Sequence, residues 1–120
     1  MVEFELAWAP HLRSTMDCAY RERHDEASYR FKDGLTPSAP FRRNVYLSFQ
    51  EDAVGIRLRD LIGVERIMWG SDYPHSESTF PRSREVIDEI LTGVPAEERD
   101  RIVCCNTAEL YRFDLDRIAG

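Results

Sequence analysis

The sequence predicts an α/β fold with parallel strands, and a strand–helix–strand unit between residues 44 and 69 carries this prediction. The run from Asn44 to Phe49 is rich in residues that favour strands, a helix from Ala53 to Ile62 follows it, and Val64 to Trp69 forms the second strand. Two strands joined by one helix within so short a stretch run parallel through a right-handed crossover. Helical patterns also precede and follow this unit. The unit and these helices together predict the α/β class.

A further strand is predicted at the start of the chain. From Val2 to Leu6, apolar residues alternate with Glu3 and Glu5, which is the pattern of a strand with one apolar and one polar face. The pattern begins directly after Met1, whereas a domain usually opens with a few loosely ordered residues. We therefore expect this chain to be part of a larger fold.

The segment between these strands is predicted to contain one helix and one connection. Pro10 suits the first turn of a helix, and apolar residues from Leu12 to Tyr20 then repeat at helical spacing. Residues 10 to about 28 are therefore predicted to be helical. The stretch from Lys32 to Pro40 contains Gly, Ser and Pro residues, which predict a connection.

Capping residues mark the ends of the other helices. Asp52 is placed to cap the helix of the strand–helix–strand unit, and Gly63 is placed to end it. A second helix is predicted from about Pro81 to Leu91, and a third begins at Pro95. The run from Asn106 to Glu109 resembles a capping box and predicts a short last helix.

The composition predicts a single folded domain over residues 1–120, because 42% of the residues are hydrophobic and 32% are charged. The net charge of -6 argues against nucleic acid as a partner. The chain has neither the pattern of a signal peptide nor an apolar run long enough to cross a bilayer. We therefore expect a cytoplasmic protein with no membrane partner.

Polar clusters follow each of the three predicted strands. In parallel α/β folds the ligand site lies at the C-terminal ends of the strands, where loops vary on a rigid scaffold. A carboxylate there can bind a metal ion or take a proton from a metal-held water. The clusters are Glu3 and Glu5 on the first strand, Gln50-Glu51-Asp52 after the second, and Ser71-Asp72-Tyr73-Pro74-His75 after the third.

Three stretches of sequence resemble the end of the amidohydrolase-related family: Ile67 to His75, Phe80 to Ser83 and Asn106 to Tyr111. That family consists of metal-dependent hydrolases on a (β/α)8 barrel and includes decarboxylases of aromatic or unsaturated carboxylic acids. The resemblance extends over nearly the whole chain. It implies that the chain is the C-terminal portion of such a barrel, about strands 6 to 8 with their helices.

The resemblance also implies roles for individual residues. Asp72 matches the family's aspartate, which is a metal ligand and the proton acceptor for the activated water. His75 and Glu3 are the candidate substrate-binding residues. The implied cofactor is a divalent metal ion, with zinc as the expected identity. The implied reaction is hydrolysis or non-oxidative decarboxylation of a small carboxylated or cyclic substrate.

Two departures from the family pattern concern the metal site and the length. The histidine pair of the family's first strand and a further metal-binding histidine have no counterpart, since the only histidines are His11, His24 and His75. A catalytic zinc needs about three protein ligands, and a whole barrel takes about 250 residues. We therefore expect the site to be completed by another chain or by a homo-oligomer.

Each candidate residue also has a purely structural explanation. Asp72 is suited to a turn before Pro74, His75 to hydrogen bonds within its own loop, and Glu3 to the polar face of a strand. Two alternatives for the whole chain stay open: a catalytically inactive remnant that self-associates through its open strand faces, and a complete small α/β binding domain.

Overall fold

The computed structural model describes residues 1, 4–23 and 30–118 of the chain. Within this part, two strands and a series of helices form one hydrophobic core. The strands are β1 (Leu47–Phe49) and β2 (Ile67–Trp69), and the helices are α1 (Ala9–Glu22), α2 (Ser38–Asn44), α3 (Ala53–Arg57), α4 (Arg59–Ile62), α5 (Ser83–Ile90), α6 (Ala96–Asp100), α7 (Asn106–Tyr111) and α8 (Leu115–Ile118). None of the described helices is both long and apolar enough to cross a bilayer.

The predicted parallel strand–helix–strand unit is confirmed. Leu47 pairs with Ile67 and Phe49 with Trp69 in a parallel ladder, which continues one step further because the Gly70 N–H donates to the Phe49 carbonyl at 3.0 Å. Side chains of both strands lie in the core, where Leu47, Phe49 and Ile67 are almost completely buried. The mixed α/β class with parallel strands is therefore correct.

Both strands are shorter than the sequence predicts. Residues 44 to 46 precede β1, since Asn44 ends α2. Val64–Arg66 forms a 3-10 turn before β2, because Gly63 has a φ of 107° and its carbonyl accepts the Arg66 N–H at 2.9 Å. A glycine adopts this backbone conformation easily. Gly63 therefore ends the preceding helix, as predicted, and also begins the turn.

The first predicted strand is wrong over its described part. Val2 and Glu3 lie outside the described residues, and Phe4 to Leu6 are not extended, since Glu5 has a left-handed φ of 55°. Met1 nevertheless lies beside β1: its N-terminal amine donates to the Tyr46 carbonyl at 2.6 Å, and its carbonyl accepts the Ser48 N–H at 2.9 Å. These two bonds have the pattern of parallel neighbouring strands.

Helix α1 begins one residue before the predicted start, with Pro10 in its first turn, and ends at Glu22. Residues 24–29, the predicted last part of this helix, lie outside the described residues. The predicted connection from Lys32 to Pro40 is corrected, because α2 begins at Ser38. Asp17 explains this start, since its carboxylate accepts the Ser38 N–H at 2.9 Å and the Ser38 hydroxyl at 2.6 Å. A carboxylate from α1 therefore replaces a capping residue from the local sequence.

The helix predicted from Ala53 to Ile62 is two helices. Leu58, with φ -96° and ψ 7°, separates α3 from α4, and its N–H is shared between the Val54 and Gly55 carbonyls. Asp52 caps α3 as predicted, because its carboxylate accepts the Gly55 N–H at 2.7 Å.

The helix predicted from Asn106 through Tyr111 is confirmed as α7, but the capping box predicted at its start is wrong. Cys105 and Asn106 both have helical dihedral angles, and the chain continues from α6 through a π-helical turn (Arg101–Cys105) into α7, which ends where Arg112 becomes left-handed. Asn106 is instead fully buried against β2. Its side-chain amide donates to the Val64 carbonyl at 2.7 Å and to the Ile67 carbonyl at 2.8 Å.

Replacing Asn106 by alanine should lower the free energy of unfolding by about 2–4 kcal/mol, because two carbonyls lose their donor and a small cavity forms. Urea unfolding of the purified chain measures this change. Asn44→Ala is the matched control, since Asn44 is exposed at the end of α2, and its effect should stay within about 0.5 kcal/mol. Equal effects of the two substitutions would contradict the importance of the buried amide.

Candidate functional site

The loop that follows β2 carries Asp72 and closes on itself through hydrogen bonds. The Ser71 carbonyl accepts both the Thr79 N–H at 3.1 Å and the Ser78 hydroxyl at 2.7 Å, which joins the two ends of the loop. Within it, the His75 N–H donates to the Asp72 carbonyl at 2.8 Å. Asp72 itself has a left-handed φ of 58°, a conformation that aspartate tolerates better than most residues. The loop therefore presents Asp72 from a fixed backbone.

Asp72 and His75 lie together, as the sequence cluster predicted. Asp72 Oδ2 is 3.4 Å from His75 Nδ1, and the two side chains are 26% and 60% exposed. Both groups are thus accessible from solvent at the C-terminal end of β2. Glu3, the third candidate, lies outside the described residues.

The C-terminal end of β1 lies beside this loop. The Trp69 indole N–H donates to the Gln50 carbonyl at 3.1 Å, which ties the end of β2 to the residue after β1. The polar clusters that follow the two strands therefore lie at one edge of the sheet, as parallel pairing requires.

Asp52 fixes the N-terminal segment to this edge. Its Oδ2 accepts the N–H groups of Leu6 at 2.7 Å and Ala7 at 2.8 Å, while its Oδ1 caps α3. Gly55 makes the contact possible, since a Cβ there would overlap Leu6 Cβ and the Asp52 carboxylate. Asp52 is thus fully engaged in structural hydrogen bonds, and its cluster contributes no free carboxylate at this position.

Glu5 approaches the same edge from the N-terminal segment. Burial raises the pKa of the Glu5 carboxyl above its ordinary value, and the nearby negative charges of Asp52 and Glu51 raise it further. The backbone N–H groups of Gln50 and Glu51 lower the same pKa, but by less than the other causes raise it. Glu5 was expected on a strand, but it has a left-handed backbone and lies beside the residues that follow β1. The edge therefore carries an acidic group that is protonated more easily than a free glutamate.

An aromatic pair on the loop was not anticipated from the sequence. The rings of Tyr73 and Phe80 meet edge to face with centroids 4.8 Å apart, and the two residues are 66% and 60% exposed. The only sequence signal was their position on either side of a Ser- and Pro-containing loop. The pair gives the loop an apolar surface next to Asp72.

The described residues account for only part of a metal site. Among residues 1, 4–23 and 30–118, no three His, Cys, Asp or Glu side chains come together in a way that could hold a metal ion. A catalytic zinc takes about three protein ligands. Asp72 and His75 can supply two donor atoms, so these residues fit such an ion incompletely.

Comparison with known proteins identifies the family. The amidohydrolase family model (Amidohydro_2) matches residues 25–113, which is most of the chain. The chain belongs to the amidohydrolase family. This family is generally metal-dependent. No curated protein matches the chain.

Two solved structures show the fold that the amidohydrolase chain shares. The 5-carboxyvanillate decarboxylase LigW from Sphingomonas paucimobilis superposes with a TM-score of 0.75 at 22% identity, over 89% of this chain and 31% of that one. The 2,6-dihydroxybenzoate decarboxylase, solved with 2,6-dihydroxybenzoate, gives 0.62 at 17% identity, over 87% and 31%. The chain thus spans about a third of the length of each structure, and both are decarboxylases of a TIM-barrel enzyme family.

Glu5→Gln should change how stability depends on pH. An acid whose pKa is raised in the folded state binds its proton more tightly there than in the unfolded chain. Folding is therefore disfavoured as the pH rises through the ordinary glutamate pKa of about 4.3. The variant should therefore gain stability relative to the wild type between about pH 4 and pH 7. Urea unfolding across this range measures the difference, and Glu77→Gln, in the exposed loop, is the matched control. A constant difference between Glu5→Gln and wild type at all pH values would contradict the assignment.

Proposed function

We propose that the chain forms the C-terminal part, about strands 6 to 8, of a metal-dependent hydrolase or non-oxidative decarboxylase that acts on a small carboxylated or cyclic substrate. The observation that carries the proposal is the position of Asp72, three residues beyond the last residue of β2 in a chain of the amidohydrolase family. In parallel barrels this end of the strands carries the active site. The two decarboxylase structures of the same fold support the choice of reaction classes.

Asp72 suits both reactions because each requires a proton to move. In hydrolysis the attacking water must lose a proton, and in non-oxidative decarboxylation the carbon that loses CO2 must gain one. A partly exposed carboxylate on a fixed loop can accept and return that proton, provided that it lies within hydrogen-bond reach of the reacting atom. The loop bonds between Ser71 and Thr79 support such a fixed position.

Substrate and metal contacts complete the proposal. His75, which is mostly exposed beside Asp72, and Glu3 are proposed to contact the substrate. A divalent ion, with zinc as the proposed identity, supplies the polarising charge when bound. Its remaining ligands are proposed to come from a polypeptide segment outside this chain or from a second copy, since the described residues supply too few.

The proposed metal role of Asp72 is tested by equilibrium dialysis of the chain against zinc, followed by elemental analysis. We expect Asp72→Ala to retain much less zinc than the wild type, because a carboxylate ligand is lost. Asp60→Ala removes an exposed carboxylate of α4 and should retain as much zinc as the wild type. Zinc bound equally by the wild type and by Asp72→Ala would overturn the role.

The proposed reaction is tested with zinc-loaded protein. The probes are 5-carboxyvanillate and 2,6-dihydroxybenzoate, with CO2 release as the readout, and a panel of small lactones and cyclic amides, with ring opening as the readout. We expect one class to react, and Asp72→Asn to lower the rate at least about 10²-fold, as loss of a proton-transfer group does. Asp60→Asn is the control. Turnover of either class that survives unchanged in Asp72→Asn would reject the proposed role of Asp72.

A further inference from the structure

We infer that Tyr73 and Phe80 determine specificity by binding a flat ring of the substrate between their own two rings. These two side chains are called the aromatic platform below. The inference rests on the proposed function in taking the loop after β2 as a wall of the active site. It narrows the proposed substrate, a small carboxylated or cyclic molecule, to one whose carboxylate is attached to a planar ring.

The exposure of the aromatic platform is the first observation. Tyr73 and Phe80 contact each other, yet more than half of each side chain stays exposed to solvent. Burial of large apolar rings stabilises a protein, so rings that only supported the loop would gain by being covered. Pockets for small molecules combine aromatic walls with a few polar groups. Exposed rings directly beside the polar pair of Asp72 and His75 have this composition.

The angle between the two rings gives the aromatic platform its shape. The ring planes meet at 62° with their centroids 4.8 Å apart, so the edge of one ring faces the other ring. Aromatic rings attract each other edge to face or offset-stacked, because the face of a ring is negative and its edge is positive. A flat ligand ring can therefore stack on one member of the platform and turn its edge towards the other. A saturated ring has no π face and gains neither contact.

Hydrogen bonds within the loop hold both members of the aromatic platform. The Tyr73 N–H donates to the Ser71 hydroxyl at 3.3 Å, and the Phe80 N–H donates to the Ser78 hydroxyl at 3.1 Å. The Ser78 hydroxyl in turn donates to the Ser71 carbonyl at 2.7 Å, which joins the two supports. Because the backbone at both ring positions is fixed before a ligand arrives, binding requires little ordering of the loop.

The polar neighbours of the aromatic platform fit a ring that carries a carboxylate. Asp72 directly precedes Tyr73 in the chain, and the His75 imidazole lies 3.4 Å from the Asp72 carboxylate. A ring bound on Tyr73 is therefore close to the group proposed to move the proton. The exposed His75 imidazole can donate a hydrogen bond to the carboxylate of the ligand. Ring recognition and proton transfer are thus assigned to neighbouring positions of one loop.

A second exposed aromatic pair lies elsewhere and provides a control. The rings of Tyr111 and Phe113 stack with their planes 22° apart and their centroids 5.9 Å apart, and both residues are more than half exposed. This pair lies at the end of α7, where Arg112 is left-handed, and not in a loop that follows a strand. It has the same exposed aromatic character as the platform without the neighbouring Asp72.

Ligand binding measured without turnover tests the aromatic platform. The probes are benzoate and cyclohexanecarboxylate, which share a carboxylate and a six-membered ring but differ in the flatness of that ring. NMR titration of the purified chain, followed at the ring protons of Tyr73, measures both dissociation constants. We expect benzoate to bind about threefold to tenfold more tightly than cyclohexanecarboxylate, which is the range that aromatic contacts contribute.

Leucine substitutions separate ring recognition from apolar contact. Tyr73→Leu and Phe80→Leu keep an apolar side chain but remove a ring, so each should abolish the preference for benzoate; the titration of Tyr73→Leu is followed at the ligand resonances. Tyr111→Leu and Phe113→Leu are the matched controls and should keep the preference. All four side chains are more than half exposed, so the substitutions should leave the fold intact, which circular dichroism checks.

The outcomes separate this inference from the proposed function. Equal affinities for the two acids in the wild type, or a preference that survives in both platform variants, would overturn the inference. Binding of neither acid would overturn it as well, because the aromatic platform lies within one loop of this chain and needs no metal ion. The proposed function is measured by turnover instead. A preference for benzoate together with turnover that survives in Asp72→Asn would keep the platform and reject the role of Asp72.

Discussion

The side-chain amide of Asn106 is the interaction on which the rest of the site depends. Asn106 is fully buried, and its amide donates to the Val64 carbonyl in the 3-10 turn before β2 and to the Ile67 carbonyl at the start of β2. Because β2 has only three residues before the loop begins, a strand fixed at its first residue determines where the loop emerges. The carboxylate of Asp72 is thereby positioned from the opposite end of the strand. A buried polar group that is fully hydrogen-bonded can specify position as well as contribute stability.

A second constraint acts from the N-terminal segment, through reciprocal contacts between acidic side chains and backbone N–H groups. The Asp52 carboxylate accepts the N–H groups of Leu6 and Ala7, and the Glu5 carboxyl lies near the backbone of Gln50 and Glu51. Charge-assisted bonds of this type are stronger than neutral ones. Acidic groups therefore collect at the C-terminal edge of the sheet for two separate reasons. Asp52 secures the N-terminal segment, whereas the side chain of Asp72 remains partly exposed to solvent.

Local sequence patterns predict the features of this fold that depend on neighbouring residues. The strand–helix–strand unit and the cap at Asp52 were predicted correctly because they depend on neighbouring residues. The start of α2 and the role of Asn106 were not, since each depends on a partner far along the chain: Asp17 in one case and β2 in the other. The proximity of Asp72 and His75 followed from their spacing, but the distance between their donor atoms required coordinates. Nothing in the residue pattern indicated that Glu5 would leave the extended conformation.

Gly55 has a consequence that reaches beyond α3. The N-terminal segment can lie against this helix only because position 55 has no side chain, since even a methyl group would overlap Leu6 and Asp52. Leu6 and Asp52 are 46 positions apart in the sequence. They can meet because position 55 has no side chain, and not because a group at that position attracts them. Alanine, the smallest ordinary replacement for glycine, would thus push apart two segments that are distant in the chain.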